Sequence, residues 1–285
     1  MNHSLKSGLL ASLLICGASL WPMRADELAD RGRDVFTKHQ HAVVTVAIVL
    51  KTTYTSGGQT SAPAEGRQDL TGTVVDPSGL TVMALSACDP GEMYQRVMPE
   101  QSRYKVETEV SDLRILLADG TELPAEIVLR DKDLDLAYVR PKVKPAAPLD
   151  AVDLSKAAPA QLLDQVVALN RLNKATSRAY AASIERISAV VQKPRLFYIP
   201  DTTMSTTTLG SPAFLPDGSL LGIFVLRAVS SGGTERPNAT TIILPASDIL
   251  KGAQQAPEAK GEPEKKDAPK DAAKETAEPK DAGKK

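Results

Sequence analysis

Histidine and cysteine are nearly absent from this chain: among 285 residues there are three of the first and two of the second. Metal centres built on imidazole and thiolate need several such groups at ligand spacing. No such cluster occurs, and neither a metal nor any other cofactor is expected. Cys16 lies in an N-terminal apolar stretch that reads as removable, which leaves Cys88, and one thiol cannot form an intramolecular disulfide. An excess of one charge is lacking too, since 34 Lys and Arg stand against 35 Asp and Glu. A net charge of -1 supplies no long-range field for a polyanionic or polycationic partner. There is no Gly-rich phosphate cradle and no basic patch interleaved with aromatics, so no nucleic-acid partner is expected. No apolar run reaches the roughly 20 residues that span a bilayer as a helix.

The two ends differ from the middle. Residues 1–25 combine a weakly basic start, the apolar "LLASLLICGASLW" and a cut after Ala25, the pattern of a secretory signal peptide, which predicts a periplasmic or extracellular protein. Ile15 stands where a lipid-anchor motif wants a small residue before Cys16. Residues 251–285 hold almost no apolar side chain larger than alanine and repeat "PKDA" at 269–272 and 279–282. A segment that buries so little cannot offset its ordering entropy and is expected to be disordered, serving as a spacer or as a tether.

In between, Val, Ile, Thr and Leu runs are punctuated by Gly, Pro and Asp. They fall at 42–50, 71–85, 113–131, 134–140, 165–172, 181–190, 211–230 and 240–246, with turn signals at Asp76 to Gly79, Asp119-Gly120 and Asp217-Gly218. Many short strands with regular turns predict an all-β protein of barrel or sandwich type. Helices are expected only near 26–38 and 245–250. The proline-rich 140–161 divides the strands into two groups. The expected layout is an N-terminal helix and first β domain over 26–140, a linker over 141–161 and a second β domain over 162–250. Residues 51–70 and 89–110 read as long excursions from the first domain.

Three stretches then carry a resemblance: "TGTVVDPSGLTVMALSAC", "LADGTELPAEIVLRDKDLDLAYVR" and "YIPDTTMSTTTLGSPAFLPDGSLLGI". They resemble the trypsin-like serine proteases of the high-temperature-requirement (HtrA) type, and "SSGGTERPNATTIILPASDI" continues in step. The resemblance covers about residues 35–250 and implies two six-stranded antiparallel β-barrels of the chymotrypsin type, with the active site in the cleft between them. Followed residue by residue, it puts Ser86 at the general-base histidine position, Asp135 at the orienting aspartate position, Leu209 at the nucleophile position and Thr207 at the oxyanion-hole glycine position. Only the aspartate is kept. A triad needs imidazole to take the nucleophile's proton and a carboxylate to fix the imidazole. Loss of nucleophile or base costs about 10⁶ in kcat, which takes an ordinary turnover of ~10 s⁻¹ to about one per day.

No substitute group presents itself. His39 and His41 stand at the entrance to the first strand and read as ordinary surface histidines. Ser205 and Ser211 flank Leu209; the first reads as a loop residue bonded to its own backbone and the second as a small residue allowing close packing. Cys88 reads as buried and inert, since no histidine is near to form its thiolate. The expectation is a catalytically inactive protease homologue, a pseudoprotease that holds a protein or peptide segment in the cleft. Two alternatives are a serine-type endopeptidase with a non-standard site, and a structural envelope protein attached by its C-terminal tail. A homo-oligomer, or association with an active relative, is left open.

Overall fold

The computed structural model describes residues 27–97, 104–201, 209–229 and 238–258. The expected signal peptide, Ser205, Thr207 and the tail beyond 258 lie outside the described residues. Helix α1 (Glu27–His39) leads into β1 (Val43–Ser56), the two-residue β2 (Gln59–Thr60), β3 (Ala64–Val74) and β4 (Thr81–Ala84). Two short helices follow, α2 (Leu85–Cys88) and α3 (Pro90–Val97), and then β5 (Tyr104–Leu116), β6 (Glu122–Asp131) and β7 (Leu136–Pro141). Strands run β1-β3-β4-β7-β6-β5, and β5 pairs back onto β1, which closes a six-stranded antiparallel barrel.

The second half contains β8 (Gln165–Arg171), β9 (Tyr180–Val191), β10 (Phe197–Pro200), β11 (Pro212–Phe214), β12 (Leu220–Val229) and β13 (Asn238–Pro245), ending in α4 (Ala246–Ala253). These strands close a second barrel in the order β10-β13-β12-β11-β8-β9. The architecture is the two-barrel fold expected from the resemblance. The turn signals sit where the hairpins need them: Val75 donates to the Leu80 carbonyl around Asp76 to Gly79, Leu117 to Thr121 around Asp119-Gly120, and Leu215 to Ser219 around Asp217-Gly218.

Each barrel has its own interior, and a third apolar layer lies between them. Ile48, Met83, Ile115 and Val139 fill the first barrel; Val166, Ile187, Tyr198 and Phe224 fill the second. Val82, Leu136 and Tyr138 on the outer face of the first meet Val167, Phe214, Ile223 and Leu244 on the outer face of the second. Strands β4 and β7 are therefore buried along their whole length, and they read as continuous apolar runs rather than alternating ones. Helix α4 seals the layer, with the Tyr138 hydroxyl donating to the Ile249 carbonyl at 2.8 Å.

Several elements differ from the sequence expectation. Residues 51–70 form a projecting β-ribbon, since β1 runs on to Ser56 and β3 starts at Ala64. Most of these positions are exposed, so no apolar alternation announced them; the β-branched "KTTYT" was the available signal. Within 89–110 lie α3 and the first half of β5, and β10 had no sequence signal that was used. The C-terminal boundary also moves. Residues 251–253 are helical, Ala256 is buried, and Arg140 Nε donates to the Pro257 carbonyl at 2.7 Å, so the chain stays anchored past Lys251. The linker is ordered through Val152 and Leu154, both buried in the inter-barrel layer.

Two ionisable residues, Arg171 and Glu185, are buried in the second barrel. Glu185 is 9% exposed on β9; its Oε1 accepts from Ser183 Oγ at 3.1 Å, and its Oε2 has no partner. Burial pushes its carboxyl above the usual range, Ser183 opposes this, and the Asp201 charge adds to it. The folded state therefore binds this proton more tightly than the unfolded chain, and stability falls as pH rises from the ordinary glutamate pKa through the raised one. Glu185→Gln is expected to raise Tm at pH 7.5 by about 2–4 °C for each ~1 kcal/mol recovered. The gain should vanish below about pH 4, where the carboxyl is neutral in both states; calorimetry at the two pH values checks this.

Candidate active-site cleft

Chain geometry brings three of the four sequence-predicted positions to one place between the barrels. Ser86 sits on α2, directly after β4. Asp135 occupies the turn before β7, where Asp131 Oδ1 accepts from the amides of Asp133 and Leu134. That turn puts Asp135 at φ 58, a left-handed conformation that Asp and Asn tolerate better than most residues. Leu209 ends its loop just before β11. Thr207, the fourth position, is outside the described residues.

Asp135 is 2% exposed and its carboxylate is well supplied with donors. Ser86 donates to it twice, from its amide at 2.7 Å and its hydroxyl at 2.9 Å. The Leu226 amide donates from the second barrel at 2.8 Å, and the Asp135 carbonyl accepts from the Leu85 amide at 2.9 Å. One carboxylate thus pins α2 to β7 and β7 to β12. Leu226 had no sequence signal, because its part is played by a backbone N–H.

Leu209 is 5% exposed and packs with Ala84 and Leu226, with Ala87 and Met93 closing over them. The next residue explains the turn. Gly210 has φ 88, and a Cβ there would lie 2.2 Å from the Thr71 carbonyl oxygen, so only glycine fits. Its amide donates to the Phe224 carbonyl at 2.8 Å, and its carbonyl accepts from Thr73 Oγ1 at 2.7 Å. Ser211 is fully buried and donates to Asn170 Oδ1 at 3.1 Å; Thr71 Oγ1 donates to the same oxygen from the other barrel, also at 3.1 Å. Asn170 is a third inter-barrel tie, after Asp135 with Leu226 and Thr73 with Gly210, and the sequence carried no sign of it.

Cys88 is buried, and its thiol donates to the Leu85 carbonyl at 3.4 Å. Burial, aided by the neighbouring Asp89 charge, pushes it up to about 12. His41 is exposed and lies 3.4 Å from the Tyr180 hydroxyl through Nδ1. His39 departs from its surface expectation: its ring stacks on Phe214 with centroids 4.5 Å apart, its Nε2 is buried without a partner, and burial depresses its pKa. The aromatic platform of Phe214, brought in by β11, was not visible locally. Among the described residues no group of three or more metal-ligating side chains is assembled, and no helix is long and apolar enough to cross a membrane.

The architecture agrees with comparison to known proteins. The trypsin-like peptidase domain family matches residues 70–223, more than half of the chain. Among solved structures, the HtrA-type protease AlgW with tripeptide is 15% identical with a TM-score of 0.51; the match covers 79% of this chain and 62% of that one. This chain thus spans under two thirds of that protein's length. The MamO protease domain from Magnetospirillum magneticum is 17% identical with a TM-score of 0.48, covering 76% of this chain and 98% of that domain. No curated protein sequence matches. The chain belongs to the trypsin-like peptidase domain family and has its two-barrel, HtrA-like fold.

Two outcomes test this geometry. Asp135→Ala leaves two buried amides without an acceptor and forces alanine into a left-handed conformation, and is expected to cost about 2–4 kcal/mol in urea unfolding. Asp135→Asn, which keeps an acceptor and tolerates that backbone, should cost clearly less. Cys88 in the native protein is expected to resist iodoacetamide at pH 8 and to react at once in denaturant, as mass spectrometry would show.

Proposed function

We propose that this protein is an inactive member of its family, a pseudoprotease that binds a protein or peptide segment in the inter-barrel cleft without cutting it. In this reading Ser86 stands at the general-base position, Leu209 at the nucleophile position and Thr207 at the oxyanion position, and Asp135 is the retained triad aspartate. The observation that carries it is the hydrogen-bonding of Asp135. Its donors are the amide and hydroxyl of Ser86 and the amide of Leu226; the place of an imidazole between carboxylate and nucleophile is taken by a hydroxyl. An alcohol beside a carboxylate has no pKa suited to accepting a proton at neutral pH.

The apolar packing of Leu209 supports the same view. A side chain held by Ala84, Leu226 and Met93 presents hydrocarbon where a nucleophile would need an oxygen or sulfur. An apolar cleft lined by strands suits an extended segment held by main-chain hydrogen bonds. The N-terminal sequence supports export, so the proposed site of action is the periplasm or the extracellular space.

The test treats purified protein with a fluorophosphonate and with a thiol-reactive probe, maps any label by mass spectrometry, and follows casein digestion in parallel. No fold-dependent label and no digestion are expected. Rapid labelling of one serine, or specific cleavage products lost on Ser86 or Leu209 substitution, would overturn the proposal in favour of a rebuilt endopeptidase site.

A further inference from the structure

Beside Leu226 a groove of about 500 Å³ opens between the barrels. One wall is the β6–β7 turn of the first barrel, with Lys132, Asp133 and Leu134; the opposite wall is the β9–β10 turn, with Arg195. Its floor is apolar, with Phe197, Val225 and Leu244 among its side chains. Arg227 lies across the floor with its guanidinium 5.0 Å from the centre of the Phe197 ring.

Charge is distributed unevenly. Arg195 and Arg227 have no carboxylate partner among the described residues, although both are always protonated. Lys132 pairs with Glu92 Oε2 at 2.9 Å, with its side chain 60% exposed, an arrangement weak enough to exchange. Asp133 is the one acid in the lining, against three bases. With net charge -1 for the whole chain, this excess is local. A guanidinium set over an aromatic face still has its in-plane N–H groups, the edge that grips a carboxylate in two parallel hydrogen bonds.

We propose that the groove selects an extended acidic peptide in which apolar and carboxylate side chains alternate. Successive side chains of an extended strand point to opposite sides: one set packs on the apolar floor, and the other meets Arg195 and Lys132 on the walls and Arg227 where it crosses the floor. Among the described residues the lining has no serine, threonine, cysteine or histidine, and in the proposal the groove acts by holding. This rests on the peptide-binding reading above and names the ligand class for it.

The experiment uses full-length protein and three fluorescein-labelled dodecapeptides, alternating Leu with Glu, Gln or Lys, read by fluorescence polarisation at two salt concentrations. The Glu peptide is expected to bind at least tenfold more tightly than the Gln peptide, to weaken in 0.5 M salt, and to lose that advantage in Arg195→Glu/Arg227→Glu. Lys51→Glu, a remote exposed position, should leave binding unchanged; Arg227→Gln, which keeps a planar end over Phe197, serves if the double variant misfolds. Equal binding of all three peptides, or preference for Lys, would overturn the acidic selection and leave peptide binding intact. Binding of none would overturn both, as would a single-stranded oligonucleotide that binds where every peptide fails.

Discussion

Everything at the cleft depends on the apolar layer that joins the two barrels. Small barrels can bury their inner faces alone, but β4, β7 and β12 carry hydrocarbon on the outer face as well, and that surface stabilises the protein only when the barrels meet. At about 25 cal/mol per Å² of apolar area removed from water, the meeting of Val82, Leu136, Phe214, Ile223 and Leu244 is a strong and non-directional attraction. It does not fix register. The directional part comes from a few polar ties at the cleft edge of the layer: Asp135 to the Leu226 amide, Thr73 to the Gly210 carbonyl, and Thr71 with Ser211 on Asn170. Buried hydrogen bonds of this kind add little net stability each, but leaving one unmade is costly, which is how a soft apolar contact becomes a single arrangement.

Asp135 illustrates how a residue at a cleft can have a structural reason to be present. In a working triad the carboxylate would orient an imidazole. Here it is buried and met by donors from two barrels, so removing it would strand those donors whether or not any catalysis occurs. The presence of the aspartate is thus no sign of activity or of its absence. Ser86 keeps a donor aimed at Asp135, and Leu209 joins Ala84 and Met93 in an apolar contact. Each side chain satisfies its local environment.

Much of the fold was legible because its signals are local. Asp76 to Gly79, Asp119-Gly120 and Asp217-Gly218 each specify a turn through their own backbone preferences, and the continuous runs "TVMAL" and "LLGIFVL" mark strands with no wet face. Ser86, Asp135 and Leu209 were singled out through the resemblance, and the structure brings them together. The projecting ribbon of β1 and β3 was not legible, because an exposed two-sided strand has neither periodicity nor an apolar run to show. Leu226, Asn170 and the Phe214 platform under His39 were not either; each acts through a partner far away in the chain. His39 was misplaced for that reason, since a polar residue at a strand entrance reads as exposed until the distant ring that covers it is known.

The same distance argument separates two kinds of groove residue. Leu134, Phe197 and Leu244 are apolar because the barrels must close, and they would be apolar in a protein that bound nothing. Arg195 and Arg227 have no such reason. A guanidinium over Phe197 covers part of the ring, yet an aliphatic side chain would cover it as well, without placing a charge beside an apolar floor. Structural requirements account for the floor of the groove and not for its charge; in the proposal above, a carboxylate-bearing ligand meets that charge.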